Sequence, residues 1–305
     1  LAGLSTVNAA DPVALSTPRE HGSIERLDPA LDELLSSDAK LEILAENFDW
    51  SEGPVWVPDG EYLLFSDIPR NSIYKWKEGE EISVYLHPSG FSGENFTGRE
   101  PGSNGLILDH RGRLILCQHG DRRLVRQETN GELTRLADNY GDKRLNSPND
   151  VAMKRIKPSQ NAFYFTDPPY GLPKQMDDPE KELPFCGVYR RATNGRVTLL
   201  TDEISRPNGI GFSPDEQKLY VACSDPEKAV WYEYPVKNDG KLGAGRIFFD
   251  ATDKVGKDKG LPDGLAIDVH GNLWATGPGG VLIFNPEGKH LGTIRTGEAT
   301  ANCTF

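Results

Sequence analysis

Residues 206–225 read RPNGIGFSPDEQKLYVACSD, and the order of residue types in that stretch decides the fold. A Pro-Asn-Gly turn opens a short apolar segment, Ser-Pro-Asp-Glu reverses the chain, and a second segment rich in β-branched and aromatic residues follows. That is the grammar of strand, tight turn and strand. It recurs in VWVPDGEYLLFSD (55–67), LILDHRGRLILCQ (106–118) and LAIDVHGNLWAT (265–276). A polar motif stands at the head of each unit: Ser51-Glu52-Gly53, Ser103-Asn104-Gly105, Pro148-Asn149-Asp150, Pro207-Asn208-Gly209, Pro262-Asp263-Gly264 and Ala301-Asn302-Cys303. The central polar residues fall 52, 45, 59, 55 and 39 residues apart. Such a period suits one four-stranded blade, somewhat longer than the ~40–45 residues of WD-type repeats.

Third strands (SIYKW, RLVRQ, GVYRR, AVWYEY, GVLIF) and fourth strands (ISVYL, LTRLA, VTLLT, RIFFD, HLGTI) complete most units. The fold expected is therefore all-β: a six-bladed β-propeller with four-stranded antiparallel blades around a central channel. Helix signals are nearly absent, although DPALDELLSS (28–37) suits a short capped helix. Residues 1–39 are expected as an N-terminal extension and residues 40–305 as the propeller. KLEILAENFD (40–49) is the expected closing strand. The sixth unit opens only at Ala301, so the last blade is expected to be C-terminally incomplete. The other option is that residues 1–39 do structural work in its place.

The 305 residues carry 34 Lys and Arg against 46 Asp and Glu, a net charge of −12. With 37% hydrophobic and 26% charged residues the chain is globular. No apolar run reaches the ~18 residues of a membrane span. The absence of a basic cluster argues against nucleic acid as a partner. Cys117, Cys186, Cys223 and Cys303 are too scattered for a zinc pattern and sit in strand-like flanks, which suits buried free thiols. The stretch LAGLSTVNAADPVALS, with small residues at Val7-Asn8-Ala9, fits the remnant of an export signal or a tail. Both a periplasmic or secreted location and a cytoplasmic one stay open. There is no G-x-S-x-G elbow, P-loop, dinucleotide fingerprint or H-E-x-x-H helix.

First strands of propeller blades line the central channel, so equivalent repeat positions converge on one axis. Glu52, Asn149, Asn208 and Asp263 then bring together two carboxylates and two amide carbonyls, four hard oxygens with a formal charge of −2. Such a set balances one divalent cation, Ca²⁺ foremost, with Mg²⁺, Mn²⁺ or Zn²⁺ as alternatives. Asn, Asp and Gly after Pro are also ordinary turn formers, and a single such motif carries no ligand signal.

The segments SEGPVW, LNSPNDV, FTDPPYG, RPNGIGFSPDEQKLYVA and PDGLAIDVHGNLWAT resemble the gluconolactonase/regucalcin (senescence marker protein) family over residues 40–305. The resemblance implies a six-bladed propeller with a divalent metal on the axis and a lactonase activity on sugar lactones. It implies the same four ligands, Glu52, Asn149, Asn208 and Asp263. Asp263 is the expected base for the attacking water and Glu52 the runner-up. Asn104, His119, Arg144, Tyr170 and Arg206 are the expected substrate contacts, with Asp121 beside His119 at the rim. Asp150 is expected to anchor the loop that carries Asn149. The expected partner is a small sugar lactone, and the oligomeric state is open. Two rival readings remain: a phosphotriesterase-like hydrolase on the same architecture, and a calcium-binding or partner-binding propeller without turnover.

Overall fold

The computed structural model describes residues 10–157 and 160–305. Strand pairing among the described residues builds seven antiparallel sheets, five of which carry a meander of four consecutive strands. Blade 1 holds Ser51–Val57, Tyr62–Asp67, Ser72–Trp76 and Ser83–Leu86. Blade 2 holds Ser103–Leu108, Leu114–Gln118, Arg123–Gln127 and Leu133–Ala137. Blade 3 holds Val151–Lys157, Gln160–Asp167, Gly187–Arg191 and Val197–Thr201. Blade 4 holds Pro207–Phe212, Lys218–Asp225, Lys228–Pro235 and Arg246–Asp250. Blade 5 holds Leu265–Ile267, Leu273–Gly277, Gly280–Phe284 and His290–Arg295, with Ser23–Arg26 added at its outer edge.

The hairpin tips repeat one device. In Asp109–Gly112 the Gly112 amide donates to Asp109 O at 2.9 Å, and Asp109 Oδ1 accepts from the Arg111 amide at 2.8 Å. Asp268–Gly271 repeats it, with Gly271 donating to Asp268 O at 3.0 Å and His270 to Asp268 Oδ1 at 2.9 Å. Gly112 and Gly271 take φ of +72° and +85°, a left-handed conformation that costs glycine least. Apolar alternation on the blades then fills the wedges between them. Trp231, fully buried, packs against Phe249 and Phe284 between blades 4 and 5. Ile115, Leu124, Phe165 and Tyr189 fill the space between blades 2 and 3.

The described residues form five four-stranded blades where six were expected. In the sector between blades 5 and 1, Val13–Glu20 pairs with Glu42–Glu46 as a two-stranded ladder. Residues 301–305 enter the same sector without joining a ladder. Gly264 donates to Ala301 O at 2.8 Å and Asn302 Nδ2 to Glu52 Oε2 at 3.1 Å, so this segment links blade 5 to blade 1 at the axis. The repeat thus supplies only the axial piece here, beside a ladder drawn from residues 13–46, which carry no blade-like hairpin motif. Residues 40–49, expected as the closing strand, contribute Glu42–Glu46 to that ladder. Glu42–Glu46 pairs with Val13–Glu20, and the strand bonded to the last one of blade 5 is Ser23–Arg26.

The short helix expected at 28–37 is a 3₁₀ turn, Pro29–Glu33, capped by Asp28, whose side chain accepts from the Ala30 amide at 3.0 Å. It drives Leu31 into a small core with Ile283 and Leu291. The Val7–Ala9 site lies outside the described residues. All four cysteines are free, three of them buried. Among the described residues no helix is long and apolar enough to cross a membrane.

Candidate active site

At the axis the polar motifs come together because each is followed by a residue that lets adjacent blades approach. A methyl group on Gly53, Gly105, Gly209 or Gly264 would fall 2.0–2.5 Å from atoms of the neighbouring motif. At those four positions only glycine fits. In the third motif Asp150 holds that place. Its Oδ1 accepts from the Val151 amide at 2.8 Å and its Oδ2 from the Ile210 amide of blade 4 at 3.2 Å. Asp150 therefore ties the Asn149 loop to the next blade, and burial pushes its carboxyl up to about 7.

Hydroxyls on the second strands pin the ring from behind. Ser66 Oγ donates to Asn104 O at 2.8 Å, Ser224 Oγ to Pro262 O, and Thr276 Oγ1 to Gly264 O at 2.9 Å. The residue after the hydroxyl is often an aspartate that accepts from the loop leading into the polar motif of its own blade. Asp67 accepts from the amides of Asp49 and Trp50, and Asp167 from those of Asn146 and Ser147.

A cavity of about 590 Å³ opens over this ring. Its floor carries Glu52, Asn104, Asn149, Asn208 and Asp263. The first four of these are 3%, 4%, 2% and 6% exposed. Glu52 Oε2 accepts from the Gly53 amide at 2.9 Å and from Asn302. Burial raises the Glu52 carboxyl well above the ordinary range. Asp263 is raised as well, by burial first and then by the charges of Glu52, Asp150 and Glu100, against a hydrogen bond from Asn208. Two buried carboxylates that repel each other favour a proton or a cation between them.

The amides are aimed to match. Asn208 Nδ2 donates to Ser224 Oγ at 2.9 Å. Asn149 Oδ1 is buried and has no hydrogen-bond partner. An acceptor oxygen left bare beside two raised carboxylates fits a hard divalent cation, and Glu52, Asn149, Asn208 and Asp263 are the residues that would hold it. No cluster of three or more His, Cys, Asp or Glu side chains with metal-binding spacing occurs among the described residues; half of the axial set is amide oxygen.

Tyr170 and Arg206, expected as substrate contacts, do line the cavity. Burial and the Asp263 charge hold the Tyr170 phenol protonated, hence a donor. His119 and Arg144 do not line it. His119 is fully buried behind Asn149, and Arg144 is exposed, bonded to Asp121 O and, through its amide, to Glu182. Asp121 likewise lies away from the cavity, paired with Arg123 and Ser92. Burial, invisible in a one-dimensional string, separates these groups.

The structure adds residues that sequence reasoning missed. Glu100 lines the cavity and places Oε2 2.9 Å from His119 Nδ1. Trp50, Ser224, Asp258 and Thr300 also line the wall. The repeated hydroxyl–aspartate pair at Ser66-Asp67, Thr166-Asp167 and Ser224-Asp225 was the signal that could have found Ser224; Glu100, in an irregular loop, offered none.

Comparison with known proteins agrees with this architecture. The family described as SMP-30/Gluconolactonase/LRE-like region matches residues 50–305. A gluconolactonase of Zymomonas mobilis is 40% identical over 292 residues, covering 93% of this chain and 81% of that protein. A pentonolactonase of Haloferax volcanii is 27% identical over 247 residues, covering 79% of this chain and 72% of that one. The solved structure of a gluconolactonase from Xanthomonas campestris superposes with a TM-score of 0.78 at 31% identity, covering 98% of this chain and 92% of that one.

Proposed function

Since the chain belongs to the SMP-30/gluconolactonase/LRE-like family, we propose that it opens sugar lactones by hydrolysis at the axial cavity, with a divalent metal held by Glu52, Asn149, Asn208 and Asp263. The observation that carries the site is the convergence of those four residues on one cavity floor, with Asn149 Oδ1 bare and both carboxyls raised. When bound, the ion supplies Lewis acidity toward the lactone carbonyl.

The chain's own residues supply the rest. Asp263 takes a proton from the water that attacks the carbonyl carbon and returns it to the ring oxygen as the acyl–oxygen bond breaks. Glu52, held by Gly53 and Asn302, is the fixed carboxylate of the pair and the runner-up base. Asn104, Tyr170 and Arg206 line the cavity with groups that hydrogen-bond a polyhydroxylated ring. That polar wall favours a sugar lactone over an apolar triester.

The finer architecture follows the same reading. The sector between blades 5 and 1 is a sixth blade, with residues 301–305 as its axial segment and Val13–Glu20 and Glu42–Glu46 as its outer strands. The hydrogen bonds of Ala301 and Asn302 to the neighbouring axial motifs support it.

Acid release from glucono-δ-lactone tests the activity, with a phosphotriester as the comparison substrate. Turnover of the lactone and not of the triester is expected. The reverse preference would overturn the sugar-lactone assignment.

A further inference from the structure

Blades 2 and 3 leave a cleft of about 380 Å³ between them. It lies at the Asp109–Gly112 end of the inner strands, whereas the axial motifs sit at their beginnings. Its lining is cationic: Arg113 and Arg126 from blade 2 and Arg191 from blade 3, with His110 and Asn161 beside them.

The carboxylates there are already engaged. Asp109 Oδ2 accepts from Arg113 Nε at 2.9 Å and from a second guanidinium nitrogen at 2.7 Å. Glu128 accepts from Arg113 at 3.0 Å through one oxygen and from Arg126 at 2.8 and 2.6 Å through the other. Two acids thus neutralise two guanidinium groups. Arg191 remains, with no carboxylate in ion-pair contact among the described residues. Burial and the neighbouring charge of Arg126 make it a less comfortable cation than an ordinary arginine. Its Nε has no acceptor.

His110 adds to the pattern. Asn161, 8% exposed, presents its amide nitrogen to His110 Nδ1 at 2.8 Å. With Nδ1 accepting, the proton sits on Nε2, and that buried donor also lacks an acceptor. A guanidinium fork without a counterion, in a cleft with two unpartnered N–H donors against one unpartnered acceptor, Asn161 Oδ1, matches the planar, multiply accepting edge of an oxyanion.

We propose that this cleft is a binding site for a small oxyanion, a phosphate or carboxylate group, with Arg191 as its principal ligand and Arg126 and His110 beside it. The shared chemistry has two sources, free inorganic phosphate and the carboxylate of a sugar acid.

Calorimetric titration of the full chain with inorganic phosphate, and in parallel with gluconate, separates the two. Saturable binding of at least one anion is expected, and whichever binds identifies the source. In Arg191→Gln that binding should weaken by about tenfold or more, as a lost charge-assisted pair of hydrogen bonds requires. Lactone hydrolysis should stay unchanged, because Arg191 is outside the axial cavity. Arg191→Lys keeps the charge and guards against a folding defect; it should retain binding, weakened by loss of the fork. No saturable binding of either anion to the wild-type chain would overturn the proposal. So would undiminished binding in Arg191→Gln, which would place the anion elsewhere.

Discussion

Glu100 Oε2 stands 2.9 Å from His119 Nδ1, and the imidazole's other nitrogen faces the amide nitrogen of Asn149 at 3.5 Å, the long limit of a hydrogen bond. The Glu100 contact lacks hydrogen-bond geometry, yet the negative charge beside Nδ1 favours the Nδ1–H tautomer, which leaves Nε2 as an acceptor for the Asn149 amide. Asn149 is thereby held with its nitrogen toward the histidine and its oxygen free. A fully buried histidine outside the cavity orients a residue on its floor.

The consequence is measurable in ion binding. His119→Phe or Glu100→Gln should weaken Ca²⁺ affinity by about 10–100-fold, the usual effect of removing a group that orients a ligand. Isothermal titration with Ca²⁺ reads it directly. Unchanged affinity in both variants would reduce the pair to packing.

Asp263→Asn should lower kcat by about 10²–10⁴-fold, the contribution of a positioned acid–base group. The fold should survive, because the change relieves repulsion among Asp263, Glu52, Asp150 and Glu100. Steady-state acid release and a thermal melt check the two halves separately. A fully active Asp263→Asn enzyme would pass the base role to Glu52.

Gly209→Ala tests why the axial motifs carry glycine. The new methyl would lie 2.1 Å from the backbone oxygen of Asp263, in a place where neither side can yield by rotating a side chain. Overpacking of about 1–3 kcal/mol is expected, together with loss of activity as Asp263 shifts. Wild-type melting temperature and kcat in this variant would contradict the close-approach argument.

Trp231→Ala removes the largest fully buried side chain of the wedge between blades 4 and 5. A loss of about 3–5 kcal/mol in denaturant unfolding is expected. Trp231→Phe should cost much less, since the indole nitrogen has no hydrogen-bond partner to forfeit.

His290 gives a pH dependence of known sign. Burial against Phe284 and Phe249 lowers its pKa from the ordinary value of 6.5. A folded-state pKa below the unfolded one means the unfolded chain binds the proton first. This contribution is complete above pH ~6.5 and is lost as pH falls through the lowered folded value. Melting temperatures from pH 7 to 5 should therefore fall more steeply in the wild type than in His290→Gln. Parallel slopes would remove His290 from the account.

Much of this was legible in the chain itself. The strands SIYKW, RLVRQ, GVYRR and GVLIF occupy their blades residue for residue, because alternation and turn chemistry are local. Glu52, Asn149, Asn208 and Asp263 were legible through repeat register, which a ring converts into proximity. What escaped notice is non-local. Ser23–Arg26 joins blade 5 across 270 residues of chain, and no local pattern announces such a partner. His119 and Arg144 sit in polar loops of similar composition, yet one is sealed inside and the other faces solvent. Sequence gave their chemistry and not their burial.

The most direct test is hydrolysis of glucono-δ-lactone by protein stripped with a chelator, followed as acid release before and after adding Ca²⁺, Mg²⁺, Mn²⁺ or Zn²⁺. Activity should vanish on stripping and return with at least one divalent ion in the wild type, but not in Asp263→Asn. Full turnover by protein shown to be metal-free would contradict an ion at Glu52, Asn149, Asn208 and Asp263 as part of the reaction.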